Sequence, residues 1–221
     1  MAPTLHCIRH AQGYHNLSDE NEEKYHDPDL TPRGREQCER LAKDFPYHQQ
    51  IEYIIASPIR RTIQTALIGL DPAIKQHKLK LILAPRAQET SAKPSDTGTD
   101  LDKLQEEYGE KLDARHMTDD WNTNKGEWQM NSESIEAHVV ELRRRISKLP
   151  HKHVALVAHG GVSCFLFDWI KADSWANTEY RSYDFIEGNG GHLKETEESR
   201  KRRANGPAGG FDPSNGDADE L

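Results

Sequence analysis

Four short apolar runs divide this chain, and each stops at a residue able to do chemistry or at a turn leading to one. They are Thr4 to Ile8, Ile51 to Ala56, Leu79 to Leu83 and His153 to Ala158, with Ser182 to Ile186 as a fifth candidate. Short apolar runs bounded by turn signals read as buried strands. Helical patterns lie between them. Thr31 suits an N-cap and Pro32 the first helical position, after which Cys38, Leu41, Ala42 and Phe45 recur at helical spacing. Arg60 to Leu70 reads as a second helix. Leu101 to Tyr108 reads as a short helix inside a long excursion, Gln88 to Ser134. Ile135, Val139, Leu142, Ile146 and Leu149 mark another, and Val162, Phe165, Leu166, Trp169 and Ile170 the last. Strands alternating with helices predict an α/β three-layer sandwich: a mostly parallel central sheet with helices on both faces.

A chain of 221 residues suits one domain with a sizeable core. Residues 1–187 are expected to form it. From residue 188 to 221 glycine, asparagine, proline and charge dominate, which reads as a disordered tail. Within that tail Lys201-Arg202-Arg203 reads as a solvated charge run, with a localisation signal as the alternative. Gly13 to Asp29 reads as a polar surface loop. Trp121 and Trp128 are expected to anchor the excursion to the sheet.

The strand ends carry the chemistry. Arg9 and His10 end the first run, Ser57 to Arg61 follow the second, Glu89 follows the third and His159 ends the fourth. In an open parallel sheet, ligands bind beyond the carboxyl ends of the strands, so residues scattered in sequence converge there. Two histidines, two arginines and a carboxylate in one pocket suit phosphoryl transfer. A neutral imidazole is nucleophilic, and His10 is the candidate to carry the phosphoryl group. Arg9, Arg61 and His159 meet the charge on the equatorial oxygens, with Asn16 as a neutral donor. Glu89 is the carboxylate placed to protonate the leaving alkoxide. Gly160-Gly161, opening a helix, are expected to let backbone amides approach phosphate. With cations built in, such a site needs no metal and no cofactor. His6, His15 and His26 are too irregularly spaced to argue for zinc.

These residues resemble the histidine phosphatase superfamily, in the branch of cofactor-dependent phosphoglycerate mutase and fructose-2,6-bisphosphatase. The resemblance spans about Thr4 to Ile186. Arg9-His10 and Asn16 match the opening motif, and Leu30-Thr31-Pro32-x-Gly34 the next turn. Ser57-x-x-x-Arg61-Thr62-x-x-Thr65 matches the run bearing the second arginine, so Arg60 is left at the rim. Glu89 matches the proton donor and His159-Gly160-Gly161 the second histidine's motif. The family usually follows its nucleophile with glycine and then Glu-Ser or Gln-Ser; here the run is Ala11-Gln12-Gly13, with Gln12, Gly13 and Gly160 implied at the substrate. This opening, together with Asp96-Thr97-Gly98, looks like that of fungal and plant mutase-like proteins. True mutases follow the glutamate with Arg-x-Tyr-Gly, whereas Glu89 precedes Thr90-Ser91-Ala92-Lys93-Pro94. The resemblance therefore implies a phosphatase acting on a phosphorylated small molecule. A phosphomutase, or a phospho-ligand-binding protein without turnover, is the alternative. Lys93, Arg115, His116 and Lys125 are candidates to meet a second anionic group.

Composition trims the alternatives. With 29 basic against 37 acidic residues the net charge is -8, which argues against a nucleic-acid partner. Cys7, Cys38 and Cys164 are odd in number and lack Cys-x-x-Cys spacing, as expected of reduced thiols in a cytoplasmic protein. The first residues lack a signal-peptide pattern and no apolar run has membrane-spanning length, so no membrane partner is expected. A nuclear location is the alternative raised by the basic run.

Overall fold

The computed structural model describes residues 1–17, 25–167, 175–186 and 191–204. Among them seven strands form one sheet: β1 (Thr4–Arg9), β2 (Tyr53–Ala56), β3 (Leu81–Leu83), β4 (Leu112–Asp113), β5 (His153–Ala158), β6 (Tyr180–Phe185) and β7 (Leu193–Glu195). Their order across the sheet is β4-β3-β2-β5-β1-β6-β7. The pairs from β1 through β5, β2 and β3 to β4 are parallel; β6 runs antiparallel to β1, and β7 antiparallel to β6.

Side chains on successive strand residues point to opposite faces, and the core divides accordingly. Ile8, Ile54, Ala56, Leu81, Leu83, Ala155 and Val157 face one apolar cluster. Leu5, Cys7, Ile55, Val154, Leu156 and Ala158 face the other. The first cluster is covered by α1 (Pro32–Asp44), α2 (Arg60–Gly69), α3 (Asp71–His77) and α4 (Leu101–Tyr108), and the second by α5 (Ser132–Ile146) and α6 (Gly160–Leu166). This is the expected three-layer sandwich. Helix α1 begins as its sequence requires: Thr31 Oγ1 accepts from Gly34 N at 2.9 Å, and Pro32 opens the first turn. A cap of this kind stabilises a helix by about 1 kcal/mol. Trp121 and Trp128 are buried in the first cluster, so both anchor the excursion.

Several elements differ from the sequence reading. The helix expected to end near Leu70 is followed at once by α3, whose Asp71-Pro72 start escapes periodicity because so few residues are apolar. Strand β4 is too short to show a pattern. The last amphipathic helix is α6, ending at Leu166; Trp169 and Ile170 lie outside the described residues.

The expectation of disorder over 188–221 is corrected for residues 191–204, the part of that stretch that the structure describes. Leu193–Glu195 form β7 on the sheet edge, and Glu197–Ala204 form a helix, α7. Helix α7 docks through polar and cationic groups, which hydrophobic patterning does not register. Ser199 is fully buried and its Oγ accepts from Ser182 N at 3.1 Å. The Arg202 guanidinium lies 4.2 Å from the Tyr180 ring centre, and Glu198 accepts from Tyr47 Oη at 2.9 Å. Arg203 pairs with Glu195 at 3.0 Å, and Lys201 forms an exposed pair with Glu197, also at 3.0 Å. Residues 205–221 lie outside the described residues. No helix among the described residues is long and apolar enough to cross a membrane.

Candidate active site

Parallel pairing places the strand ends side by side. Arg9 is opposite Ala158, Ala56 opposite both Val157 and Leu83. The ladder then runs one residue further: His10 N donates to Ala158 O and Ser57 N to Val157 O, each at 3.0 Å. His10, His159, Ser57 and the chain leading to Glu89 therefore leave the sheet at one edge.

His10 is buried, and its Nδ1 lies 2.8 Å from the Ala11 carbonyl. A carbonyl only accepts, so Nδ1 carries the proton and the Nε2 lone pair is left to attack. Burial, reinforced by Arg61, His159, Arg9 and His15, holds the imidazole pKa well below 6.5. It is therefore neutral throughout the neutral range. Asn177 Nδ2 donates to the His10 carbonyl at 2.9 Å and steadies the strand end.

Arg61, at the start of α2, is 1% exposed and held on three sides. It donates to Ser95 O at 2.5 Å, to Asp96 Oδ1 at 2.9 Å and to His159 Nδ1 at 3.1 Å. Guanidinium has no lone pair to give, so His159 Nδ1 accepts and its Nε2–H donates to Ser57 Oγ at 2.8 Å. Burial first, then the nearby Arg61, keep His159 neutral. Its ring centre is 5.2 Å from that of His10. Arg9 donates to the Trp175 carbonyl. The Nε atoms of Arg9 and Arg61 and Nδ1 of His15 are buried without a hydrogen-bond partner among the described residues.

Glu89 lies against the first turn of α6. Its carboxylate accepts from Thr90 N at 2.9 Å, Val162 N at 3.0 Å and Gly161 N at 3.1 Å. Burial, with Asp96 adding to it, raises its pKa above 4.5 against the pull of Arg61 and these amides. A carboxyl raised in this way is suited to donating a proton.

Arg9, His10, Arg61, Glu89 and His159 thus come together as read from the sequence. Others sit differently. The amides of the Gly160-Gly161 turn were expected to face phosphate; Gly161 N holds Glu89 instead, and Gly160 packs beside Arg9. Gln12 Oε1 accepts from Thr31 Oγ1 at 2.8 Å and its backbone N donates to Gln37 Oε1, which ties it to α1. Asn16 Oδ1 accepts from Gly13 N at 3.0 Å, leaving its Nδ2 group as the donor. Ala11 packs with Leu30 and Cys38, where its methyl is accommodated. Arg60 pairs with Glu107 at the rim. Of the four loop cations, exposed Lys93 is near enough to disfavour charge on His15, whereas Arg115 is paired with Asp113. His6 bonds Ser182 and His153, away from His15, and no cluster of His, Cys, Asp or Glu among the described residues has metal-holding geometry. Sequence reasoning missed Asp96 as the carboxylate fixing Arg61, Asn177 behind His10, and His15, whose ring centre is 5.5 Å from that of His10. Asp96-Thr97-Gly98 was visible as a motif, but only the fold shows its partner.

A neutral imidazole among buried guanidinium groups, with a carboxyl of raised pKa beside it, is a set of groups suited to phosphoryl transfer. The chain belongs to the histidine phosphatase superfamily (branch 1), whose family model matches residues 5–188, and with that family it is a phosphatase. A Schizosaccharomyces pombe protein named as a probable phosphatase is 26% identical over 170 residues, 76% of this chain and 78% of that one. An Arabidopsis thaliana phosphoglycerate mutase-like protein is 41% identical over 73 residues, covering 29% of this chain and 27% of the relative. Among solved structures, Bacillus stearothermophilus YhfR aligns with a TM-score of 0.57 at 16% identity, over 88% of this chain and 96% of that one. Entamoeba histolytica phosphoserine phosphatase, in complex with 3-phosphoglyceric acid, aligns with a TM-score of 0.54 at 20% identity, over 88% and 95%. At these identities the structural likeness speaks for the fold.

Proposed function

We propose that this chain is a metal-independent phosphomonoesterase that hydrolyses a phosphorylated small molecule through a phosphohistidine at His10. The observation that carries the reading is the fixed tautomer of His10, which leaves a neutral Nε2 lone pair beside Arg9, Arg61 and His159. Nε2 attacks phosphorus as the P–O bond to the leaving group breaks. Glu89 gives its proton to the departing alkoxide. The guanidinium groups meet the charge on the equatorial oxygens. In the second half the Glu89 carboxylate takes a proton from water, whose oxygen attacks phosphorus. The P–N bond breaks and the lone pair returns to Nε2. Two features support water over a second alcohol as acceptor: Glu89 is followed by Thr90-Ser91-Ala92, and Thr90 and Ser91 hydrogen-bond Glu89 and Asp96. The phosphatase names of the Schizosaccharomyces and Entamoeba proteins favour a small phosphate ester as substrate.

The test is phosphate release from sugar phosphates, phosphoglycerates, aryl phosphates and prenyl phosphates in the presence of EDTA, with His10→Ala alongside. Release that survives the chelator and is lost in the variant is expected. Release undiminished in His10→Ala contradicts the reading.

A further inference from the structure

The sequence departs from its family at Gly13, where serine is usual, and the fold puts the His15 imidazole against that position. A Cβ built on Gly13 lies 2.8 Å from His15 Nδ1 and 2.9 Å from its Cε1. The imidazole thus occupies the space that a residue-13 side chain needs, and the two positions depend on each other. The turn between them is closed on both sides. Asn16 N donates to Gly13 O at 2.9 Å, Gly13 N donates to Asn16 Oδ1 at 3.0 Å, and Gly13 bridges Leu30. His15 is therefore folded back over Gly13.

This places the imidazole in the phosphate pocket. Its ring centre lies 5.5 Å from that of His10, and its Nδ1 is buried without a partner among the described residues, as are Arg9 Nε and Arg61 Nε. Burial, then Arg61, Arg9 and Lys93, hold its pKa down to about 2, so it enters the pocket uncharged. An uncharged imidazole still has one N–H to donate, and it adds that donor without the repulsion a third cation would bring between two guanidinium groups.

We propose that His15 is a ligand of the transferring phosphoryl group, giving from the turn the hydrogen bond that Gly13 has no side chain to give. The inference rests on the phosphatase reading of the same pocket. It deepens that reading by making residues 13 and 15 an exchanged pair: a small residue at 13 with an imidazole at 15, in place of a hydroxyl at 13.

Binding of orthovanadate, a phosphoryl mimic, to the full chain tests it by calorimetry, with thermal unfolding as a check on folding. His15→Ala and His15→Phe, the latter keeping the ring without its nitrogens, are expected to bind about 10- to 100-fold more weakly, the worth of one hydrogen bond to a charged group. Gly13→Ser combined with His15→Ala puts a hydroxyl in the cleared space and is expected to recover most of that loss. Gly13→Ser alone collides with the imidazole and is expected to bind worse than the double variant. Wild-type vanadate affinity in both single His15 variants overturns the proposal, as does a double variant no better than His15→Ala. Because binding is read without turnover, the outcome stands apart from the His10→Ala assay. A chain that binds vanadate through His15 but releases no phosphate would sink the phosphatase reading alone.

Discussion

Burial acts on His10 and Glu89 in opposite senses, because imidazole is charged when it holds its proton and a carboxyl when it has lost one. His10 is pushed down from 6.5 and Glu89 up from 4.5, so the neutral base and the protonated acid coexist over a wider range of pH than free side chains allow. In the proposed reaction turnover needs His10 without its added proton, so activity is expected to be lost as pH falls through the lowered His10 pKa. It also needs protonated Glu89, so activity falls as pH rises through the raised Glu89 pKa. Glu89→Gln is expected to remove the basic limb of the kcat/KM profile and leave the acidic limb in place. It should also lower kcat/KM, which reports the first half-reaction, on alkyl phosphate esters by about 10²–10⁴-fold, the worth of a positioned general acid, and on aryl phosphates much less. Equal slowing of both ester types, with the basic limb intact, contradicts the assignment. The convergence of these residues was legible in the sequence because His10, Glu89 and His159 lie at or just beyond strand ends. Asp96 and His15 were not, because they come from segments without periodicity, where nothing in the spacing says which way a side chain folds back.

At the scale of elements, the join between β5 and α6 decides where the Glu89 carboxyl sits. The amides of Gly161 and Val162 face the Glu89 carboxylate, and a Cβ on Gly161 would lie 2.2 Å from Glu89 Oε1 and 2.5 Å from Thr90 Oγ1. Gly161 is thus needed for close approach, and of the double glycine read from the sequence as a phosphate cradle it is the Gly161 amide that holds Glu89. Gly161→Ala is expected to lower kcat/KM on alkyl esters as Glu89→Gln does, and the two changes together should cost little more than either alone, as groups acting in one unit do. Full additivity in the double variant would show that the glycine serves something other than Glu89. The helices around the site were largely readable: α1 from its Thr31-Pro32 start, α5 from its apolar stripe. α3 and β4 were too short or too polar to declare themselves.

At the scale of the whole molecule, the sheet is finished by a segment whose sequence reads as tail. Tyr47 and Tyr180 are covered by α7 through the Arg202 guanidinium, whose aliphatic stem and planar head do the work apolar side chains do elsewhere. The expectation of disorder failed there for that reason: burial by arginine leaves no hydrophobic trace. Arg202→Ala is expected to destabilise the fold by about 1–2 kcal/mol in urea unfolding, by loss of stacking and packing, with phosphate release per folded molecule unchanged. An unshifted unfolding midpoint would mean that α7 adds nothing to the sheet it covers.

The measurement that bears most directly on the site is chemical trapping of the enzyme during turnover of an aryl phosphate, followed by peptide mapping. A phosphoryl group that is labile to acid, stable to base and confined to the peptide bearing His10 is the expected result, absent from His10→Ala. Phosphate on any other residue, or full turnover with no trapped phosphoryl group under any quench, would contradict a phosphohistidine at His10.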